Sequence, residues 1–487
     1  MLRKSVFEVF TLLFAFFMIG CGDVNESGKD EKTNVVFAAP KSNVKISRET
    51  KQMIDAAVSD YFSNFNSEIS DGQDGDDSYI ITHDGKTMRF FMEKKGSPNK
   101  DGKYPLYITL HGGGGTASEI NDDQWRQMFS YYKDSVENGI YIACRGITDT
   151  WDLHFQKDSY VLYDRLIKNM IANYNADPNR VYLLGFSAGG DGVYQILPRM
   201  ADRFAAGNMS SGHPNGVKLI NLANCPISIQ VGVRDYYSRS AMRSVRAAEF
   251  EKTLTEYADA LELPYEHRIL VHVPAGHNYV DYDTSVKSQV LKNPTSFADK
   301  GEKMLDEFIA VLEKNENVQG YDDGDKISRM SYLQLTDDNF NREITNVVTR
   351  DNKLAVKKVN PDAVTYVSKF TRNPLPKKIV WDLETRPESQ KSFYWLQADS
   401  SVNKGTIAAE INSKKNEIYV ETEDVNGDFY ILISPYMLDV SKPIQLVTPD
   451  GNFSTTVELS QELIKESLQD RGDPNLIYVA KIKCTAN

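Results

Sequence analysis

Val181-Tyr182-Leu183-Leu184-Gly185-Phe186-Ser187-Ala188-Gly189-Gly190 is a short apolar run that ends in G-x-S-x-G. Asp177-Pro178-Asn179 sets a turn before it, so 181–184 reads as a buried strand. Positions 188–200 read as the helix that follows. The pattern therefore predicts a sharp strand-to-helix turn that holds the Ser187 hydroxyl clear of its neighbours. Gly185 and Gly189 have a steric reason to be glycine, because a Cβ on either flank would collide across the turn. Five residues of this kind recur by chance. Their meaning rests on the chain to either side.

Outward from this turn, apolar strands alternate with helical segments. Strands are expected at 106–110, 140–143, 181–184, 204–209, 227–233 and 268–273. Helices are expected at 118–137, 159–174, 188–200, 239–261 and 297–314. A hairpin is expected from 78–82 and 87–93 around His83-Asp84-Gly85-Lys86, preceded by an amphipathic helix at 46–65. Such alternation implies a mostly parallel sheet covered by helices on both faces. Beyond about 317 the texture changes to short β-prone runs at 363–367, 378–381, 392–396, 406–410, 417–421 and 429–433, with one helix at 461–468. This predicts a separate β-rich, sandwich-like region. The expected division is a signal segment at 1–20, a polar tether at 21–45, a catalytic domain at 46–317 and a β-rich domain at 318–487.

The 487 residues, with 41% hydrophobic and 25% charged, have the composition of a globular protein. A net charge of −12 disfavours nucleic acid as a partner. Besides Cys21, three cysteines remain, Cys144, Cys225 and Cys484, and an odd number cannot all pair. No C-x-x-C or H-E-x-x-H pattern suggests a metal, and no cofactor is implied. Arg3 and Lys4 precede an apolar stretch at 9–19 that is too short to span a bilayer and suits a signal peptide. The stretch ends Met18-Ile19-Gly20-Cys21, which resembles the lipobox of bacterial lipoproteins apart from Met18 in place of leucine. That resemblance implies lipidation at Cys21, a membrane anchor and an extracytoplasmic location in the bacterial cell envelope.

Three further features fall at strand ends. Tyr107-Ile108-Thr109-Leu110-His111 runs into Gly112-Gly113-Gly114-Gly115, where bare backbone can approach a developing oxyanion. The amides of Gly113, Gly114 and Ala188 are the expected donors, with His111 supporting the loop and also a candidate substrate contact. The strand at 227–233 leads to Asp235, a carboxylate able to orient a histidine, while Asp281 and Asp283 are weaker alternatives. The last strand leads to Pro274-Ala275-Gly276-His277, and His277 in that loop is placed to act as general base toward Ser187. His154 and His213 lie in loops at the same edge and are candidates to touch substrate. Trp151 is a candidate wall of the pocket, whereas Trp125 reads equally as core. Asp191 is expected either to cap the helix after Ser187 or to bind a polar substrate. Phe393-Tyr394-Trp395 invites a sugar-platform reading, but alternation favours burial.

The order of glycine loop, Ser, Asp and His resembles the α/β-hydrolase superfamily. His-Gly-Gly-Gly-Gly and Gly-Phe-Ser-Ala-Gly-Gly look most like the secreted esterases that include polyhydroxybutyrate depolymerases, feruloyl esterases and prolyl-oligopeptidase-type esterases. The resemblance covers about 104–312. It implies an α/β-hydrolase fold and a serine hydrolase that cleaves carboxylic esters, with Ser187 as nucleophile, Asp235 as acid and His277 as base. The expected partner is an ester substrate, polysaccharide- or polyester-linked. About a dozen residues separate the sixth and seventh strands, too few for a lid domain there, which favours bulky substrates. The alternatives are a serine peptidase, or a non-catalytic surface protein that uses the fold as a scaffold.

Overall fold

A computed structural model of the chain describes residues 40, 42–72, 75, 77–232, 235, 243–273, 277, 344–348, 354–355 and 363–486. The signal and lipidation segment and the helix expected at 297–314 lie outside the described residues. No helix among the described residues is long and apolar enough to cross a membrane.

Among the described residues an eleven-stranded sheet forms the centre, in the order β1-β2-β3-β5-β4-β6-β7-β8-β9-β10-β11. Its parallel part comprises β4 (Tyr104–Leu110), β5 (Gly139–Cys144), β6 (Ala176–Phe186), β7 (Ala206–Ser210), β8 (Ile227–Gly232) and β9 (His267–Val273). On one side it is extended antiparallel by β1 (Ser70–Asp71), β2 (Tyr79–His83) and β3 (Lys86–Lys95), as the hairpin predicted. On the other side β10 (Ile344–Val348) and β11 (Leu354–Ala355) extend it antiparallel from beyond position 317.

The pleat sorts side chains to two cores. Leu106, Ile108 and Leu110 of β4, with Val181 and Leu183 of β6, join one buried cluster with α3 (Lys157–Asn173) and α4 (Ala188–Arg199). Tyr107, Tyr182 and Leu184 join the opposite cluster with α2 (Ser118–Tyr131). The mostly parallel sheet with helices on both faces is the α/β-hydrolase-like arrangement expected. Trp125 is core: it is fully buried and donates its indole N–H to Ala143 O at 2.8 Å. Between β7 and β8 lies only the short 3₁₀ turn Ile220–Asn224.

The segment at 363–367 corrects one expectation. Ala363-Val364-Thr365-Tyr366-Val367 has β-branched, strand-like composition but forms a short helix, α6 (Ala363–Val367), buried on the α2 side of the sheet. Arg268 of β9 lies over the Tyr366 ring at 4.1 Å, so packing against the sheet overrides local propensity.

The C-terminal part is β-rich, as expected. Its strands are β12 (Lys378–Asp382), β13 (Ser392–Phe393), β14 (Leu396–Ala398), β15 (Thr406–Asn412), β16 (Glu417–Glu423), β17 (Gly427–Ile433), β18 (Ile444–Thr448), β19 (Gly451–Thr455) and β20 (Ala480–Ala486). Among the described residues they form a five-stranded sheet, β12-β15-β16-β18-β19, and a four-stranded sheet, β13-β14-β17-β20. In β15 (Thr406–Asn412), Ile407, Ala409 and Ile411 alternate inward and share a core with Phe429, Ile431 and Ile433 of β17 (Gly427–Ile433). Phe393, Tyr394 and Trp395 are all buried, and Trp395 donates to Pro376 O at 2.8 Å, so they form no exposed platform. The helix α1 (Arg48–Asn64) packs Ile54 against Ile464 and Leu468 of α7 (Gln461–Arg471).

Buried polar contacts fasten this β-rich part to the large sheet. Arg372, itself paired with Asp473 at 2.6 Å, donates across to Asp202 O at 2.6 Å, and Asp473 lies 3.7 Å from Arg203. Arg471 pairs with Asp202, and Asn221 donates to Asp382 O at 3.2 Å. Asp202 and Asn221 sit in the turns that lead into β7 and β8. These contacts therefore fall at the N-terminal ends of the parallel strands, away from the ends where Ser187, Asp235 and His277 lie.

Candidate active site

The turn after β6 takes the form its sequence predicts. Ser187 has φ 57° and ψ −119°, a conformation that costs an L-residue about 1–3 kcal/mol and persists only when its surroundings enforce it. Two hydrogen bonds hold it: Ser187 N–H to Ser210 O at 2.9 Å, and Asp191 N–H to Ser187 O at 3.0 Å. A Cβ at Gly189 would stand 2.0 Å from Leu110 O, and one at Gly185 would stand 2.1 Å from Gly189 O. Only glycine fits either position.

The structure brings Ser187, His277 and Asp235 together from the ends of three strands. Ser187 Oγ lies 2.9 Å from His277 Nε2. His277 Nδ1 lies 2.9 Å and 3.0 Å from the two carboxylate oxygens of Asp235. A carboxylate accepts only, so Nδ1 carries the proton and Nε2 is left to accept from the serine hydroxyl. Asp235 is buried, which withdraws the pair from competing water. Phe186 lies under the imidazole at 5.5 Å, and Ser211 Oγ donates to His277 O at 3.0 Å. Arg243, at the start of α5 (Arg243–Leu261), lies 3.4 Å from Asp235 Oδ1. That arginine is not legible in sequence, because its partner lies on another element.

The glycine loop passes directly beside Ser187. Gly113, Gly114 and Gly115 have φ of 102°, 81° and 61°, a left-handed run that other residues adopt only with strain. One expected donor is corrected. The Gly114 N–H bonds to Asn121 Oδ1 at 2.8 Å and is not available to an oxyanion. Gly113 and Ala188 are the remaining candidates. The Ala188 amide belongs to the first turn of α4, where a helix offers no internal acceptor.

His111 is also corrected as a substrate residue. It is fully buried, donates from Nδ1 to Gly112 O, and accepts the Gly146 N–H at Nε2, 3.1 Å away. Burial, reinforced by His154, holds its pKa well below the usual histidine value. It supports the glycine loop from beneath. His154 is equally buried, bonds His111 O through Nε2 at 2.8 Å, and is pushed down to about 3 by burial, so it too lies away from substrate.

Asp191 faces inward. Its carboxylate accepts the His213 N–H at 2.6 Å and Asn215 Nδ2 at 3.1 Å, tying the loop after β7 to α4. Burial pushes its pKa up to about 6 despite those bonds and the nearby charges of Arg243 and His277. That corrects its expected role as a substrate contact. His213 is half-buried and its Nδ1 is engaged with Asn215.

Trp151 stands where a pocket wall would. It is 57% exposed, its Cβ lies 3.9 Å from the Cβ position of Gly115, and its ring meets Phe155 edge-on at 5.4 Å. Cys144 and Cys225 are buried free thiols raised by burial, and Cys484 is free and part-buried. Among the described residues no group of three or more His, Cys, Asp or Glu is placed to hold a metal ion.

No protein-family model matches the chain. The chain is 32% identical over 133 residues to a bifunctional acetylxylan esterase/xylanase of Neocallimastix patriciarum, which is 27% of this chain and 18% of that protein. It is 29% identical over 118 residues to feruloyl esterase B of Thermothelomyces thermophilus, which is 22% of this chain and 39% of that enzyme. The chain thus spans less than half the length of either relative. Among solved structures it is similar to a thermostable esterase (TM-score 0.32, 18% identity, 39% of this chain and 53% of that one). It is also similar to Est1E of Butyrivibrio proteoclasticus (TM-score 0.29, 12% identity, 41% of this chain and 90% of that one). In fold the chain is α/β-hydrolase-like, and in sequence both curated relatives that it resembles are named as esterases.

Proposed function

We propose that the protein is a carboxylic ester hydrolase that works through an acyl-enzyme on Ser187. The observation that carries this reading is the continuous line from Ser187 Oγ through the His277 imidazole to the Asp235 carboxylate, with both links at 2.9 Å. His277 Nε2 takes the hydroxyl proton as Ser187 attacks the ester carbonyl. Asp235 holds the ring in its tautomer and stabilises the imidazolium. The amides of Ala188 and Gly113 receive the tetrahedral oxyanion. His277 then protonates the leaving alcohol, and water releases the acyl group by the same steps in reverse.

The proposed substrates are bulky, polymer-attached esters, with acetyl or feruloyl groups on a polysaccharide first among them. Three observations support this. The curated relatives are named for acetylxylan and for feruloyl esters, only a 3₁₀ turn stands between β7 and β8, and Trp151 presents an exposed face beside the glycine loop. An aromatic face of this kind stacks on sugars or on a phenolic acyl group. The proposed location is the bacterial cell envelope, anchored by lipid on Cys21.

The test is a substrate panel: p-nitrophenyl acetate, methyl ferulate, acetylated xylan, polyhydroxybutyrate and an aminoacyl p-nitroanilide. Turnover of aryl acetate together with release of acetate or ferulate is expected. Trp151→Ala is expected to raise KM for the polymer several-fold and to leave KM for p-nitrophenyl acetate unchanged. Turnover of the anilide alone would make the protein a peptidase and sink the ester reading.

A further inference from the structure

Behind the glycine loop lies a chain of polar groups that the reaction above does not use. Asn121, in the first turn of α2, is fully buried. Its side chain has three partners: the Gly114 N–H at 2.8 Å, Thr116 O at 3.3 Å and Asp149 Oδ1 at 2.9 Å. One partner donates and two accept, so only one orientation of the amide satisfies all three. Asp149 in turn takes Arg145 Nη2 on that same oxygen, while its backbone carbonyl accepts the Gly115 N–H at 2.9 Å. Arg145 is buried and spends its remaining donors locally. It donates to Gly146 O at 2.9 Å, to Thr148 O at 3.0 Å and to Asp122 Oδ1 at 2.7 Å. Two successive amides of the glycine loop are thus pinned, and the loop that carries Trp151 is closed onto the same guanidinium.

The fit is close. A Cβ at Gly113 would stand 2.4 Å from Asn121 Oδ1, so the Gly113 peptide rests directly on this amide. A glycine run has more backbone freedom than any other sequence. An oxyanion donor is useful only when its direction is fixed before the charge develops. With Gly114 and Gly115 bonded away from the site, Gly113 is the one of the two expected loop donors that is left to turn toward Ser187.

We propose that Asn121, Asp149 and Arg145 form a clamp that positions the glycine loop, so that Gly113 presents its amide to the oxyanion formed at Ser187. This rests on the ester-hydrolase reading above. The three are positioning residues, since none of them touches the reacting atoms.

The test uses the full chain and p-nitrophenyl acetate, beside a phenylboronic acid that forms a tetrahedral adduct with an active-site serine. Asn121→Ala is expected to lower kcat about ten- to a hundredfold with KM within about twofold. It should weaken the boronic acid by a similar factor, because both readouts depend on the same donor. Asp149→Ala should behave likewise. Asp149→Asn should restore most of the activity, because its Oδ1 still accepts from Asn121 and Arg145. Should Asn121→Ala fail to fold, the pair at position 149 decides. Wild-type kcat in Asn121→Ala or in Asp149→Ala overturns the clamp, as does a loss that appears only in KM or in melting temperature. Activity that survives in Ser187→Ala would instead overturn the underlying reading, so the two failures are told apart.

Discussion

The imidazole of His277 donates to Asp235 symmetrically, with Nδ1 2.9 Å from one carboxylate oxygen and 3.0 Å from the other. This bond does two things at once. It selects the tautomer in which Nε2 accepts from Ser187, and it places a buried negative charge where the imidazolium forms.

Asp235→Asn tests that bond. Asparagine keeps the size and burial but offers an N–H where an acceptor is needed. The imidazole is then favoured in the wrong tautomer, and kcat is expected to fall by about 10⁴-fold with the fold intact. Steady-state kinetics on an aryl acetate, with circular dichroism as the control, checks it. A loss of less than about tenfold would remove Asp235 from the reaction.

Asp191 gives the protein a pH-dependent liability. Burial pushes its pKa up to about 6, above the ordinary aspartate value that it regains on unfolding. Between about pH 4 and pH 6 the native state therefore holds a proton that the unfolded chain has lost, and stability falls as pH rises through that window. Two pKa units correspond to about 3 kcal/mol, fully felt above pH 6. Asp191→Asn retains an acceptor for the His213 N–H and cannot ionise. Urea midpoints at pH 4.5 and 7.5 should fall for the wild type relative to the variant. Parallel midpoints in the two proteins would refute it.

The β-rich part should be integral to the hydrolase rather than a detachable module. Arg372 and Asp473 are both buried, and burial alone would raise the Asp473 pKa, but Arg372 and Arg203 hold it below the usual carboxylate value. Removing Arg372 leaves that charge to Arg203 at 3.7 Å and takes away the donor to Asp202 O. Arg372→Ala is expected to cost about 3–5 kcal/mol, read as a lower urea midpoint. An unchanged midpoint would show that this arginine contributes nothing to the join.

The parts of the site that the sequence exposed are those bound to strand ends. Ser187, Asp235 and His277 each follow a recognisable apolar strand, and a parallel sheet brings such ends to one edge whatever the details of packing. Gly185 and Gly189 were legible because the turn admits no Cβ. The donors in the glycine run were not separable, since four glycines look alike until Asn121 claims one of their amides. Asn121 itself is an ordinary helix residue in sequence, and Arg145 and Asp149 read as a polar loop, because their pairing is made by tertiary contact. From their place in the chain His111 and Asp191 point toward substrate, but the fold turns both inward. At 363–367, local strand propensity lost to burial against the sheet.

Nucleophilic attack by Ser187 is tested by the response of Ser187→Ala to a fluorophosphonate probe and to p-nitrophenyl acetate. The wild type should label stoichiometrically and turn over the ester. The variant should neither label nor turn over, with kcat lower by about 10⁴-fold or more and an unchanged melting temperature. Labelling or turnover retained in Ser187→Ala would show that Ser187 is not the nucleophile.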